Sequence, residues 1–363
     1  MNDLPEERST LSRAGLLGRS GALAAGFALP GLGVGVQRTT TRAAAPDGVT
    51  VAPRYRPLDS FQPEIDLRGK LALISGASRG NGRAVGESLA ARGVDVIGTS
   101  RDPATVPDPP AFPLLKLDVS DPDSVRGFRR RLTDHRLFRR HGRIDILCNN
   151  AGRMVVGRLI PSRGDLAFSL RQRDLAVRTL YAGHVMITDV FLPLLAPSGY
   201  ARIVFTVSVA SYYSGSVQPG GSFTEAYNAA KAALRTYADN LGGALHEAGS
   251  HIRVSTVNPY AMHTALAEHP HPIYLQPVNG NGLSDTDPVF NAVMTGGRQL
   301  LANAQPPSRV GETYAQLCEL SEPDPDVVVA SPTEPLATQG ANILVESELV
   351  AENDRSAVPL TSV

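Results

Sequence analysis

Lys70-Leu71-Ala72-Leu73-Ile74 leads without a break into Ser75-Gly76-Ala77-Ser78-Arg79-Gly80-Asn81-Gly82, and a helix-like stretch follows from Arg83 to Arg92. An apolar run, a glycine-rich turn and a helix make the local context in which backbone N–H groups and a helix N-terminus receive a pyrophosphate. Glycine lets such a turn approach a ligand because no Cβ stands in the way. The spacing G-x-x-x-G-x-G differs from the G-x-G-x-x-G of the general dinucleotide fingerprint. Taken alone the segment also fits an ordinary Gly/Ser loop, so its meaning depends on what else the chain carries.

A second motif lies downstream. Tyr227-Asn228-Ala229-Ala230-Lys231 sets a phenol and an ammonium four residues apart in a helical pattern, which stacks both groups on one face. A nearby ammonium favours phenolate, whose ordinary pKa of about 10 leaves roughly one tyrosine in a thousand ionised at neutral pH. Reaching about 7 requires about 4 kcal/mol of differential stabilisation. A lysine alone falls short of that. A cationic nicotinamide ring and a hydroxyl donor would add to it.

The rest of the pattern is consistent with an α/β sheet. Apolar strands are expected at Val94-Asp95-Val96-Ile97-Gly98-Thr99, Leu114-Leu115-Lys116-Leu117, Ile144-Asp145-Ile146-Leu147-Cys148 and Arg202-Ile203-Val204-Phe205-Thr206-Val207. Asn149-Asn150-Ala151-Gly152 follows the third of these, and the fourth ends at Ser208. Together with the glycine turn and the Tyr/Lys pair, these marks resemble the short-chain dehydrogenase/reductase family over roughly Leu67 to Thr264. The resemblance implies a doubly wound, Rossmann-type, mostly parallel sheet in a single domain, 67–350, with a C-terminal substrate lid around 260–290.

It also implies roles. Tyr227 would be the general acid/base, Lys231 would lower its pKa and hold the nicotinamide ribose, and Ser208 would hydrogen-bond a substrate carbonyl. Hydride transfer to a carbonyl needs such a set, because a proton must reach the oxygen while a hydroxyl pair steadies the developing alkoxide. Gly76, Ser78, Arg79, Gly80 and Gly82 would cradle the dinucleotide. Asp118, with Val119 beside it, would touch the adenine, Asn150, Ala151 and Gly152 would line the other side, and Thr264 would bind the carboxamide. The implied partner is a small carbonyl or alcohol substrate, and a homodimer is one assembly compatible with the sequence.

Two departures from the family pattern stand out. Aligned on Gly183 and Leu192-Pro193, the position of the family's active-site asparagine falls on Leu180. That asparagine holds a water that passes protons to the lysine, and leucine cannot, so an altered relay or slow turnover is implied. Asn258-Pro259-Tyr260 stands where Pro-Gly is usual, and the tyrosine adds bulk beside the nicotinamide pocket. The stretch between Ser208 and Tyr227 is longer than usual and holds Tyr212-Tyr213-Ser214-Gly215-Ser216-Val217-Gln218-Pro219-Gly220-Gly221, a Gly/Pro-rich loop expected at the mouth of the site. Its two tyrosines either wall the substrate pocket or pack the loop.

Cofactor choice follows from charge. The second strand ends at Ser100-Arg101, where an acidic residue would bind the free ribose of NAD. Arg101 and Arg79 instead offer cations to a 2′-phosphate, and one charge-assisted hydrogen bond of about 1.5–3 kcal/mol implies about a ten- to hundredfold preference for NADP. The competing account makes both arginines solvated surface groups. Function itself keeps two rivals: an NADP-binding sensor or scaffold that has lost catalysis, and a non-redox cyclase or epimerase on the same fold.

Composition is compatible with all of this. The 363 residues are 42% hydrophobic, and 35 basic residues balance 35 acidic ones, which gives no global attraction to nucleic acid or membrane. The arginine-rich segment Arg126–Arg143 reads as a helix with a solvated basic face or as a site for an anionic partner. Cys148 and Cys318 suggest no disulfide framework. His263, His269 and His271 lack the carboxylate or cysteine company of a metal site.

The first 45 residues resemble an export signal. Ser12-Arg13-Ala14 precedes an uncharged Gly/Ala-rich stretch from Gly21 to Val36 and then Thr41-Arg42-Ala43-Ala44-Ala45, and the uninterrupted apolar length is below a membrane span. The start is like a twin-arginine signal with Ala14 in place of the second arginine, so export and a disordered cytoplasmic leader both stand. Residues 46–66 read as a linker. Beyond Thr264 a long loop (Pro270 to Asp287), helices at Pro288 to Ala304 and Val310 to Leu320, and an edge strand at Asp326 to Ala330 are expected, with a mobile tail at 351–363.

Overall fold

The structure, a computed structural model, describes residues 62–155, 166–211, 224–260, 262–264, 304–323, 325–329 and 337–338. All of them fall in one compact unit, Val51–Val363. The expected leader, most of the linker, the tyrosine-bearing loop, nearly all of the lid, the helix at 288–304 and the tail lie outside the described residues.

Leu71–Ile74 forms β1 with all four side chains buried, as expected of a parallel strand covered on both faces. The chain continues through α1 (Gly80–Ala90), β2 (Asp95–Ser100), β3 (Leu114–Lys116), α2 (Pro122–Asp134), α3 (Arg136–His141) and β4 (Ile146–Asn149). A long helical stretch follows, made of α4 (Leu166–Val177), a π-helical turn (Arg178–Ala182) and α5 (Gly183–Leu195). Then come β5 (Ala201–Thr206), α6 (Glu225–Glu247), β6 (Ile252–Pro259), α7 (Ser308–Glu319), β7 (Asp326–Val329) and β8 (Ala337–Thr338).

The sheet order is β3-β2-β1-β4-β5-β6-β7-β8. Every neighbouring pair is parallel except β7 and β8, which are antiparallel. The order reverses between β1 and β4, and ligands of doubly wound sheets bind at the carboxyl ends of the strands flanking such a reversal. One apolar core, with Phe128, Ile187, Phe191 and Leu234, fills one face of the sheet, and a second, with Val85, Leu89, Val310 and Tyr314, fills the other. On the second face α7 lies almost in contact with α1: a Cβ on Gly311 would come within 2.4 Å of the Ala84 carbonyl oxygen. Arg92 ties the two helices together through Glu312 at 2.5 Å and Glu319 at 2.8 Å.

Several boundaries differ from the sequence expectation for identifiable reasons. α1 starts at Gly80 rather than Arg83, because Gly82 and Gly86 belong to its packed face, against Gly76 and Phe112. β4 begins at Ile146, and the Asp145 side chain just before it accepts from the Leu71 N–H at 2.9 Å. The arginine-rich segment is two helices rather than one, broken at His135 with ψ 139°. Much of its charge is locally paired, Arg126 with Asp123, Arg139 with Asp134 and Arg140 with Asp95. The strand at 326–330 is not an edge, since β8 pairs outside it. Cys148 and Cys318 are both buried and free. Among the described residues, Leu170–Leu195 has the length and hydropathy to cross a membrane; Leu180, Ile187, Phe191 and Leu195 in it are fully buried in the protein core.

Candidate active site

The glycine turn sits at the reversal point, at the end of β1. Gly76 has φ +68°, which favours glycine, and a Cβ there would lie 2.7 Å from the Ala151 Cα. A Cβ on Gly82 would meet the Gly76 carbonyl oxygen at 2.2 Å and Asn150 Nδ2 at 2.3 Å. Gly80, with φ +56°, faces the Thr264 side chain at 3.3 Å. These contacts bring Gly76, Gly80, Gly82, Asn150, Ala151 and Thr264 to one place, although they stand far apart in sequence.

Side-chain hydrogen bonds fasten the two strand ends together. Asn150 Nδ2 donates to the carbonyls of Ser75 and Gly76, both at 3.1 Å. Ser75, which the sequence reading passed over, accepts at its Oγ from the N–H groups of Asn150 and Ala151 at 2.9 and 3.0 Å. Thr99 likewise accepts from the Gly76 N–H at 3.2 Å. A small hydroxyl residue at a strand end is the available signal for both, and it is too common to stand out.

At the start of α1 the N-cap residue, Arg79, makes no capping bond with its side chain, and the first turn holds no acidic residue. The opening N–H groups of a helix carry partial positive charge and take an anion readily. A pyrophosphate therefore fits this end. Ser78 is half-buried and Arg79 exposed in the same turn. Arg101 is exposed just past β2, and among the described residues neither its guanidinium nor that of Arg79 has an acidic partner. Asp118 is half-buried and accepts at Oδ1 from the Ser120 N–H and hydroxyl at 2.9 and 2.6 Å, with Val119 buried next to it. Gly152 is exposed, and a Cβ there would lie 3.5 Å from Leu180 Cδ2.

Ser208, Tyr227 and Lys231 converge on the other side of β5. The Ser208 hydroxyl lies beside the Tyr227 phenol and accepts from the Ala210 N–H at 3.2 Å, so it also braces the turn that follows β5. Tyr227 is buried, and burial raises its pKa while the neighbouring Ser208 hydroxyl opposes that rise. In the cofactor-free protein the net direction for the phenol is therefore upward. Lys231 Nζ lies 6.0 Å from the tyrosine ring centroid and donates to the Thr206 carbonyl at 2.6 Å. Full burial lowers its own pKa to about 7.

Thr206 joins this site to the cofactor turn and to the opposite face. Its hydroxyl donates to Asn150 Oδ1 at 3.0 Å and also meets the buried Tyr314 hydroxyl of α7. Leu180 falls in the π-helical turn and packs with Val155, Ala176, Tyr227 and Ala230. The leucine is thus at the site, as the alignment places it. Gly183 closes the same turn, where a Cβ would lie 2.5 Å from the Val119 carbonyl oxygen. Asn258 is fully buried and donates to Asp326 and to the Val327 carbonyl, while Tyr260 is 39% exposed. His263 is described and His269 and His271 are not; among the described residues no His, Cys, Asp and Glu cluster suited to a metal occurs.

Comparison with known proteins follows the same outline. A family model described as short chain dehydrogenase matches residues 70–272. The chain is 33% identical over 216 residues to a "Dehydrogenase/reductase SDR family protein 7-like" of Anopheles gambiae, covering 55% of this chain and 62% of that protein. It is 31% identical over 206 residues to "Sex determination protein tasselseed-2" of Zea mays, covering 55% and 57%. The alignments thus span about three-fifths of these curated relatives. A solved short-chain dehydrogenase from Streptomyces avermitilis is 25% identical and superposes with a TM-score of 0.55 over 79% of this chain and 97% of its own. With a family match over more than half its length, a sheet that reverses at the glycine turn, and the serine, tyrosine and lysine gathered beside it, the chain belongs to the short-chain dehydrogenase family.

Proposed function

We propose that the chain interconverts a carbonyl and an alcohol with NADP as the hydride carrier. The observation that carries this reading is the buried Tyr227 with the buried Ser208 beside it and Lys231 one helical turn along the same face of α6. The bound nicotinamide supplies or accepts the hydride. In the reducing direction Tyr227, protonated at neutral pH, gives its phenolic proton to the substrate oxygen. The Ser208 hydroxyl orients that oxygen, and the positive charge of Lys231 supports the phenolate left behind. The Thr206 carbonyl fixes where that charge stands.

Gly76, Ser78, Gly80 and Gly82 with the open end of α1 would hold the pyrophosphate. Asp118 and Val119 would flank the adenine, Asn150, Ala151 and Gly152 the opposite side, and Thr264 the carboxamide. Arg79 and Arg101 would face the 2′-phosphate. Residues 260–290 would supply the lid over a small substrate.

The test is Tyr227→Phe. NADPH consumption with a panel of alkyl and aryl ketones is expected to fall at least a thousandfold, while the NADPH dissociation constant stays within about threefold. Retained turnover would show that the proton comes from another group.

A further inference from the structure

We propose that Tyr314, on α7, is a positioning residue for the dinucleotide, a role that rests on the reading of the glycine turn as the dinucleotide site. Its hydroxyl locks, through Thr206, the Asn150 amide around which that turn is folded. Tyr314 is fully buried in the apolar core with Val85, Leu89 and Val310. A phenylalanine would fill the same place and would bring no polar group to desolvate. The tyrosine hydroxyl is instead directed at the Thr206 hydroxyl on β5.

The sense of the hydrogen bonds is fixed from their far end. The carbonyls of Ser75 and Gly76 only accept, so the end of Asn150 that faces them, 3.1 Å from each, is its NH2 group. Asn150 Oδ1 therefore faces Thr206 at 3.0 Å and receives that hydroxyl's single proton. No proton of Thr206 is left for Tyr314, so the phenol is the donor. Phenol to threonine, threonine to amide oxygen, and amide nitrogen to two carbonyls make one chain with one direction. Turned over, the amide would press its oxygen against the Ser75 and Gly76 carbonyl oxygens.

The glycine turn has no room for that change. A Cβ on Gly82 would lie 2.2 Å from the Gly76 carbonyl oxygen and 2.3 Å from Asn150 Nδ2, so α1 opens directly against this amide. The N–H groups at that opening are the ones suited to a pyrophosphate. α7 is also seated on α1 independently of Tyr314, by Gly311 against the Ala84 carbonyl and by Arg92 to Glu312 and Glu319. The phenol is thus held in register with the helix whose start it serves. Thr206 is shared with the acid/base pair as well, since its carbonyl accepts from Lys231 Nζ at 2.6 Å.

Tyr314→Phe removes one oxygen atom and keeps the ring. By isothermal titration calorimetry, the dissociation constants of NADPH and of NADH are each expected to rise about tenfold, the equivalent of one lost hydrogen bond. The factor is the same for both because the pyrophosphate is common to them. Thr206→Val should give a similar rise, and the double variant no more than the larger single one, because the phenol acts only through the threonine hydroxyl. Leu317→Ala, a core truncation on the same helix, should lower the melting temperature and leave both dissociation constants within about twofold of wild type. Unchanged binding in Tyr314→Phe, additive losses in the double variant, or equal weakening by Leu317→Ala would overturn the proposal. A second readout needs no dinucleotide. The Asn150 and Ala151 N–H groups donate to Ser75 Oγ at 2.9 and 3.0 Å, and in cofactor-free Tyr314→Phe their hydrogen exchange should accelerate more than that of Leu73 and Leu147 in the adjoining strands. Uniform acceleration, or none, would overturn the proposal as well. A wild-type protein that binds neither dinucleotide would instead overturn the functional reading, and the exchange comparison would still decide whether Tyr314 holds the turn.

Discussion

Lys231 gains nothing in stability from its position in the cofactor-free protein. Burial lowers its pKa from 10.5 to about 7. Below pH 7 the side chain is charged in both states, and the folded state bears the full desolvation penalty. Between 7 and 10.5 only the unfolded chain holds the extra proton, so the penalty fades as pH rises. Lys231→Met should therefore melt at a higher temperature than wild type at pH 6, with the gap closing towards pH 10, while turnover is lost. Differential scanning calorimetry of the cofactor-free proteins at both pH values checks this. Arg101 presents the opposite case, an exposed cation past β2 with no acidic partner among the described residues. NADPH should bind at least tenfold tighter than NADH, and Arg101→Asp should narrow or reverse that ratio. Equal dissociation constants in the wild type would refute the charge argument.

At the scale of elements, the junction between β1 and β4 is held by one buried carboxylate. Desolvation alone would raise the Asp145 pKa. Hydrogen bonds from Ser198, Arg143 and the Leu71 N–H outweigh it and hold the value below the usual 3.8. A depressed carboxylate stabilises the fold above its unfolded pKa, and that contribution is lost as pH falls through the folded value. Asp145→Asn should cost about 1–3 kcal/mol at pH 7, and the difference from wild type should shrink below pH 3.8. Urea unfolding at pH 7 and pH 3 measures both. The same residue shows why strand ends were hard to read: Asp145 lies in an apolar run, and its side chain's partner stands 74 residues earlier in the chain. Likewise His135 ends a helix that arginine periodicity would have continued.

For the whole molecule, the glycine turn, the Asn150 loop and the Tyr/Lys pair were legible because each combines unusual residue types with a fixed spacing. The sheet reversal that brings them together follows from that order of elements. Ser75, Thr206 and Tyr314 were not legible. Each is an ordinary residue whose meaning comes from a contact across the sheet, and such a contact is not visible in a linear pattern. Leu180 was located by alignment, yet its packing with Tyr227 became apparent only in three dimensions.

The most direct test of the central claim follows the hydride. Wild-type protein is incubated with NADPH deuterated at the transferring position of the nicotinamide and with the ketone panel, and products are analysed by mass spectrometry. The account predicts an alcohol carrying deuterium on the former carbonyl carbon, formed by wild type and not by Tyr227→Phe. Substrate conversion without deuterium in the product, or a deuterated alcohol made equally well by Tyr227→Phe, would contradict it.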